Sequence, residues 1–81
     1  MVESAWVSLE QHGQSQFFKG KLAYSYSVNG ERYTGDLQRN FGGSEDKANV
    51  WAARFPHGLP VHLRYSPRNF ADSVFNERDQ A

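Results

Sequence analysis

The three histidines are the first candidates for metal binding in this 81-residue chain, because the chain contains no cysteine that could act as a ligand. His57 and His62 are five positions apart, and imidazole is a common metal ligand. However, Gly58 and Pro60 lie between them, and no acidic ligand is close in sequence. We therefore expect no metal and no cofactor: His57 lies in a turn after a helix, and His62 faces solvent from a strand.

Two other patterns could support chemistry. Gly42-Gly43-Ser44 precedes a helical pattern and resembles a minimal anion site, since free N–H groups at a helix start attract negative charge. Glu45 and Asp46 already supply that charge, so ordinary helix capping is favoured. No G-x-S-x-G elbow presents a hydroxyl nucleophile. The sequence predicts that the protein is not an enzyme.

A polar surface is the remaining candidate for function. Ser27 and Arg32 fall on one face of a predicted hairpin, and His62 and Arg64 fall on one face of a later strand. If those strands share a sheet face, the four side chains form a surface for a partner. The alternative is that they are ordinary solvated strand residues.

The element that positions the first pair is a β-hairpin. Asn29-Gly30 between alternating runs predicts a two-residue type I′ turn, because both residues tolerate positive φ. That turn sets the register. On the apolar face it pairs Val28 with Glu31, Tyr26 with Tyr33, Tyr24 with Gly35 and Leu22 with Leu37. On the polar face it pairs Ser27 with Arg32. Gly35 leaves room for the Tyr24 ring to lie across its backbone.

A helix of about 45–55 follows, with Ser44 as its N-cap. Its apolar stripe, with Trp51 at the centre as the predicted anchor to the sheet, consists of Ala48, Trp51, Ala52 and Phe55. Pro56 ends the helix, and Gly58 suits the chain reversal after it.

The remaining elements are short or weakly patterned. Alternation predicts strands around Ala5–Leu9 and Val61–Tyr65, a polar loop at 11–16 and a short return strand at 73–75. Pro67 and Asn69 predict a turn that starts at Ser66. This segment is interpreted as a corner in the chain, and the alternative is a ligand rim formed by Arg68 and Asn69. The polar residues 76–81 predict a frayed tail.

These elements predict an α+β, mainly β fold: a bent or partly closed antiparallel sheet of four to five strands, with one covering helix. Residues 1–81 form one small domain. Twelve aromatic residues supply most of its core. No stretch approaches the length of a membrane span, so this segment does not insert into a membrane.

The ordered motifs resemble a family. Y-x-Y-x-V-x-G-x-x-Y-x-G runs from Tyr24 to Gly35, Gly43-Ser44 opens the helix, and A-A-R-F-P-x-G-x-x-V-x-L-x-Y-x-P-x-N runs from Ala52 to Asn69. Over about residues 20–76, with a fainter match around Trp6, the chain is similar to the bacterial domain-of-unknown-function family numbered 3592. It departs from the family at Ser66, where Asp or Asn is common, and at Phe70, where a second Pro is common.

The resemblance implies a small, mainly β domain, often carried beside transmembrane helices, with no established activity. We therefore expect a monomeric, non-catalytic interaction domain of a membrane-associated protein, with a protein partner. The sequence does not indicate a cellular compartment. The alternative is a domain that binds single-stranded nucleic acid on exposed aromatics. The zero net charge opposes that alternative. So does the expectation that the hairpin's tyrosines lie on the face that the helix must cover, which leaves the opposite face without aromatic residues.

Overall fold

The computed structural model describes residues 1–77 and 80. In them, the chain forms β1 (Val2–His12), β2 (Ser15–Val28), β3 (Glu31–Asn40), α1 (Glu45–Ala53), β4 (Leu63–Tyr65) and β5 (Ser73–Phe75). All strand pairs are antiparallel, in a three-stranded sheet ordered β1-β2-β3 and a separate two-stranded sheet of β4 and β5. The α+β, mainly β prediction is confirmed, but its strands are divided between two sheets.

The β2–β3 hairpin forms as predicted. Asn29 and Gly30 have φ values of 54° and 84°, as a type I′ turn requires. Every predicted pair is present, including Tyr26 with Tyr33 and Tyr24 with Gly35. The local turn chemistry and the period of two specify the same register, and the structure adopts it.

The β1–β2 hairpin is longer than the sequence predicted. Residues 11–16 do not form a loop: Gln11 pairs with Gln16 and His12 with Ser15 around a tight turn in which Gly13 has a φ of 61°. Both faces of this tip are exposed, so its strands carry no apolar alternation that would reveal them. The prediction of a loop was wrong because backbone pairing continues beyond the core.

Helix α1 packs against β1 and β2. Ser44 caps it, its hydroxyl accepting a hydrogen bond from the Lys47 N–H (3.3 Å). The helix ends at Ala53 with Arg54 as C-cap, two residues before the predicted end, although Phe55 is still buried. The core consists of the buried side chains of Val2, Leu22, Tyr24, Ala48, Trp51, Phe55 and Phe75.

The two-stranded sheet, and not the helix, covers the tyrosines of the β2–β3 hairpin. Tyr65 of β4 stacks on Tyr26, with ring centroids 6.2 Å apart, and Tyr26 stacks on Tyr33 at 5.5 Å. The Tyr24 hydroxyl is 2.9 Å from the Ser73 hydroxyl on β5. Tyr24 and Tyr26 do lie on the predicted face, since they alternate with Gly20, against which Trp51 of α1 packs. The helix covers the Gly20 end of that face, and the two-stranded sheet covers the tyrosine end.

The segment between β4 and β5 is built from consecutive turns. The Asn69 N–H donates to the Ser66 carbonyl (3.2 Å), which places Pro67 at the second position of the predicted turn. The Asn69 side-chain oxygen accepts from the Ala71 N–H (3.2 Å). The Tyr26 hydroxyl donates to the Phe70 carbonyl, so the segment is fastened to the larger sheet.

The strand predicted at 61–65 starts only at Leu63. His62 lies before it, where the Gln80 side chain replaces a strand partner: its oxygen accepts from the His62 N–H (2.9 Å) and its nitrogen donates to the His62 carbonyl (2.7 Å). Glu77 also makes side-chain contacts, although a frayed tail was predicted for 76–81. Arg78, Asp79 and Ala81 lie outside the described residues. Among residues 1–77 and 80, no helix is both long and apolar enough to cross a membrane.

Candidate functional site

An open pocket of about 330 Å³ lies beside helix α1, between the helix and the segment that follows β3. We call it the helix pocket. Its lining consists of Arg39, Phe41, Asp46, Lys47, Val50, Trp51 and Arg54. Pockets of this size, with apolar surface and a few polar groups, are typical binding sites.

Trp51 forms the floor of the helix pocket and is fixed on several sides. Its ring lies against the backbone of Gly20, where an added Cβ would be only 2.6 Å from Cε3 of the indole. The rings of Phe41 and Phe55 contact it with centroid distances of 5.7 and 5.2 Å. With 3% of its surface exposed, Trp51 is the buried anchor that the sequence predicted.

Glu77 fixes one wall of the helix pocket. One carboxylate oxygen accepts a hydrogen bond from the Trp51 indole N–H (2.9 Å), and the other accepts from the Arg39 guanidinium (2.8 Å). The same guanidinium lies 5.2 Å from the centroid of the Phe41 ring, a cation–π distance. Helix, sheet and C-terminal segment therefore meet at a single carboxylate.

The rim of the helix pocket is an exposed stripe of the helix. Lys47, Val50 and Arg54 are spaced at i, i+3 and i+7, so they lie on one face, and Val50 is 65% exposed. Within the described part of the chain, neither Lys47 nor Arg54 forms an ion pair. Because Glu77 neutralises Arg39, these two cations against Asp46 leave the pocket with an excess of one positive charge.

This arrangement can hold an apolar group and a negative group side by side. The exposed Val50 and the half-buried Phe41 ring, which packs on the buried Trp51, offer apolar contact. The two cations lie at the edge, where solvent reduces but does not remove their attraction.

The structure does not bring the predicted polar surface together on one sheet. Ser27 and Arg32 pair across β2 and β3, whereas Arg64 belongs to β4 and His62 precedes it. Tyr65 of β4 covers the face of β2 that carries Tyr26, which is opposite to the face of Ser27. A role for these four residues stays a prediction, but no common sheet face assembles them.

Arg32 already has a partner within the protein, although its side chain is 63% exposed. It forms an ion pair with Glu3, whose carboxylate also accepts a hydrogen bond from the Ser25 hydroxyl (2.6 Å). The Ser25 hydrogen bond, together with the charges of Arg32 and His57, lowers the pKa of Glu3 below its ordinary value. His57 lies in the turn predicted for it, with Nδ1 2.7 Å from the Glu3 carbonyl, and Gly58 beside it has a φ of 86°.

The other predicted sites are occupied by local contacts. The Gly42 N–H donates to the Asn40 side-chain oxygen (2.7 Å), and the Ser44 hydroxyl caps the helix, so both groups serve the turn. In the part of the chain that the structure describes, no three side chains of the His, Cys, Asp and Glu types come together in a way that could hold a metal ion.

A second surface, which the sequence reasoning missed, lies on the outer face of the β1–β2 hairpin. Trp6 pairs with Lys21, Ser8 with Lys19, and Glu10 with Phe17. Trp6 is 46% exposed, and Lys19 lies 5.9 Å from the centroid of the Phe17 ring. Lys21 forms an ion pair with Glu10 (2.9 Å), and this contact lowers the pKa of the Glu10 carboxyl.

The helix pocket was also missed, for an identifiable reason. The spacing of Lys47, Val50 and Arg54 was readable in the sequence, but exposed charged residues occur on the outer face of any amphipathic helix and do not by themselves indicate a site. The contributions of Arg39 and Phe41 depend on where β3 ends relative to α1, and no local pattern specifies that.

One protein-family model, described as Domain of unknown function (DUF3592), matches residues 1–79. The match is wider than the resemblance that the motifs alone indicated, since it includes β1 and the first hairpin turn. No curated protein and no solved structure matches the chain.

Proposed function

The chain belongs to the DUF3592 family, and because that family has no assigned function we propose one from geometry. We propose that the protein is a non-catalytic interaction domain of a membrane-associated protein, and that it binds a protein partner at the helix pocket. The observation that carries this proposal is that the pocket, although open, has a floor and a wall that are already fixed by contacts with Gly20, Phe41 and Glu77.

Preorganisation is what makes this surface favourable for binding. A partner that contacts Val50 and Phe41 meets a ring packed on the buried Trp51, whose indole N–H is held by the Glu77 carboxylate. Few side chains then need to be ordered on binding, which reduces the entropic cost of association. Arginine is also among the residue types most enriched where binding energy concentrates, and Arg39 and Arg54 line the pocket.

The membrane setting is supported by what the motif resemblance implies and not by the geometry of the pocket. Domains that resemble this one are often carried beside transmembrane helices, so the full parent protein should sediment with membranes when cells are fractionated. Release of the full parent protein into the supernatant without detergent would count against this part of the proposal.

Partner binding is tested by photo-crosslinking in cells that make the full parent protein. A photoreactive amino acid replaces Val50 at the helix pocket or, as the matched control, Val74 on β5, which is 59% exposed. We expect the substitution at Val50, but not that at Val74, to give a discrete adduct whose second component is one protein identified by mass spectrometry. Equal adducts from both sites would overturn the proposal.

A second candidate function is supported by the outer face of the β1–β2 hairpin. Trp6 and Phe17 are aromatic, Lys19 and Lys21 are cationic, and interleaving of these types is what single-stranded nucleic acid binding uses. The ion pair with Glu10 removes part of that positive charge, and the whole chain has none in excess. A titration with short oligonucleotides at low salt would favour this candidate if the amide resonances of these four residues shifted saturably.

A further inference from the structure

We infer that the ligand of the helix pocket is an acidic peptide segment in which an apolar side chain stands between carboxylates. This inference rests on the proposed function, since it specifies the chemistry of the partner at that same site. It follows from three features of the pocket: the order of charges along the rim, the way the wall already binds a carboxylate, and the apolar group between the two cations.

The rim presents a cation, an apolar group and a cation in that order. Lys47 and Arg54 flank Val50 on the exposed face of the helix, about two helical turns apart, or roughly 10 Å along the axis. Neither cation has an ion-pair partner among residues 1–77 and 80. A bound segment with carboxylates on both sides of an apolar side chain would match this order, whereas a basic segment would meet repulsion twice.

The wall shows how a carboxylate is held in this part of the molecule. Glu77 accepts from the indole N–H of Trp51 with one oxygen and from the Arg39 guanidinium with the other. Arg39 retains further N–H donors, because a guanidinium carries five. The same residues that bind an internal carboxylate therefore line the space into which an external one would enter.

The apolar contact gives the partner its position. Val50 is 65% exposed, and it borders the buried Trp51 ring and the half-buried Phe41 ring. An aromatic or aliphatic side chain seated there would remove this apolar surface from water, which favours binding in proportion to the area covered. Asp46, beside Lys47 at the start of the helix, is the one negative group in the lining, so it weakens but does not cancel the attraction of Lys47 for a carboxylate, and the carboxylate at Arg54 should contribute more.

The test is an amide-shift titration of the isotope-labelled protein at low ionic strength, where screening is weak. The probe is the capped peptide Asp-Glu-Trp-Glu-Asp, and the controls are its amide counterpart Asn-Gln-Trp-Gln-Asn and the basic peptide Lys-Lys-Trp-Lys-Lys. We expect saturable shifts at Lys47, Val50 and Arg54 with the acidic probe, and binding of the amide peptide weaker by about tenfold, as for the loss of a few exposed ion pairs.

The variant Lys47→Glu tests directly whether the charge of the pocket rim determines which peptide binds. A glutamate at this third helical position can form a capping box with Ser44, so the helix should keep its stability. We expect it to weaken binding of the acidic peptide by about fivefold and to improve binding of the basic one. Arg68→Glu, at an exposed position in the turn after β4, makes the same change of charge and should leave both affinities unchanged.

The outcomes separate this inference from the proposed function. Equal binding of the acidic and amide peptides, no shifts with any peptide, or shifts caused by an oligonucleotide at the pocket would overturn the acidic chemistry. If the Val50 crosslink still identified one protein, the proposed function would stand with a partner of different chemistry. Failure of that crosslink would remove the proposed function itself.

Discussion

Two glycines of the larger sheet lie directly under aromatic rings, and the two sites differ in how ring and glycine come together. A Cβ added to Gly35 would be 2.4 Å from Cζ of Tyr24, and one added to Gly20 would be 2.6 Å from Cε3 of Trp51. Tyr24 and Gly35 belong to the same hairpin and are directly paired. Trp51 and Gly20 come from a helix and a strand that are distant in the chain.

The polar tips of both rings are held by the C-terminal segment. The Tyr24 hydroxyl is 2.9 Å from the Ser73 hydroxyl, and the Trp51 indole N–H donates to Glu77 (2.9 Å). Each aromatic therefore joins two elements: its ring covers a glycine of the larger sheet, and its tip binds a residue near the end of the chain. The difference between the two sites is one of contact order and not of chemistry.

The largest effect is expected at the nonlocal contact. Trp51→Ala removes the floor of the helix pocket and leaves Glu77 without its indole donor, so the free energy of unfolding should fall by about 3–5 kcal/mol. Denaturant titration measures this change, with the exposed neighbour Val50→Ala as a control expected to stay within about 0.5 kcal/mol. A Trp51→Ala variant as stable as the wild type would show that the helix is held through another face.

The two glycines should respond alike when a methyl group is added. Gly20→Ala and Gly35→Ala each force an aromatic ring to move, and such overpacking typically costs about 1–3 kcal/mol. Gly43→Ala is the matched control, because nothing lies within 4 Å of the added Cβ. Combining Gly20→Ala with Trp51→Phe should recover part of the loss, whereas strict additivity would mean that the ring and the glycine do not interact.

The same contrast explains what the sequence could predict. The Asn29-Gly30 turn sets the register of β2 and β3 from two neighbouring residues. The contact of Tyr24 with Gly35 could therefore be predicted from the sequence. The helix was readable from Ser44 and the spacing of its apolar stripe. Gly20 carries no such pattern, because its role depends on which part of the sheet the helix crosses.

The failures also have physical causes. At the tip of the β1–β2 hairpin the strands extend beyond the core, so Gln11 and Gln16 pair without apolar alternation. The two-stranded sheet packs on the larger sheet through Tyr26, whose ring stacks on Tyr65 and whose hydroxyl donates to the Phe70 carbonyl, and these partners are too distant in sequence for a local pattern to indicate them. The helix pocket combines the exposed face of α1 with the end of β3, and that meeting is a tertiary property.

A smaller effect is expected in the corner between β4 and β5, which is stabilised by a local hydrogen bond of Asn69 and by a nonlocal one from Tyr26. Asn69→Ala removes the side-chain acceptor of the Ala71 N–H but leaves the Tyr26 hydrogen bond to Phe70 in place. Thermal or denaturant unfolding should show a loss of about 1 kcal/mol, the usual scale for one such bond. Arg68→Ala beside it is the control. Unchanged stability with loss of a bound partner would instead support the ligand-rim interpretation.

The smallest effect concerns the opposite face of the larger sheet, where Glu3 interacts with Ser25 and Arg32. The Ser25 hydrogen bond and the nearby positive charges lower the pKa of Glu3 in the folded chain below its ordinary value of 4.5. The unfolded chain then binds a proton at this site at higher pH than the folded chain does, so the contribution of Glu3 to stability is fully present above pH 4.5 and is lost as the pH falls through the folded pKa.

Glu3→Gln should therefore flatten the decline in stability below pH 4.5, measured as the unfolding midpoint against pH. Gln16→Ala, at the exposed tip of the β1–β2 hairpin, removes no ionisable group and is the control, so it should keep the wild-type slope. Identical slopes in all three proteins would mean that the contacts of Glu3 do not distinguish the folded from the unfolded chain.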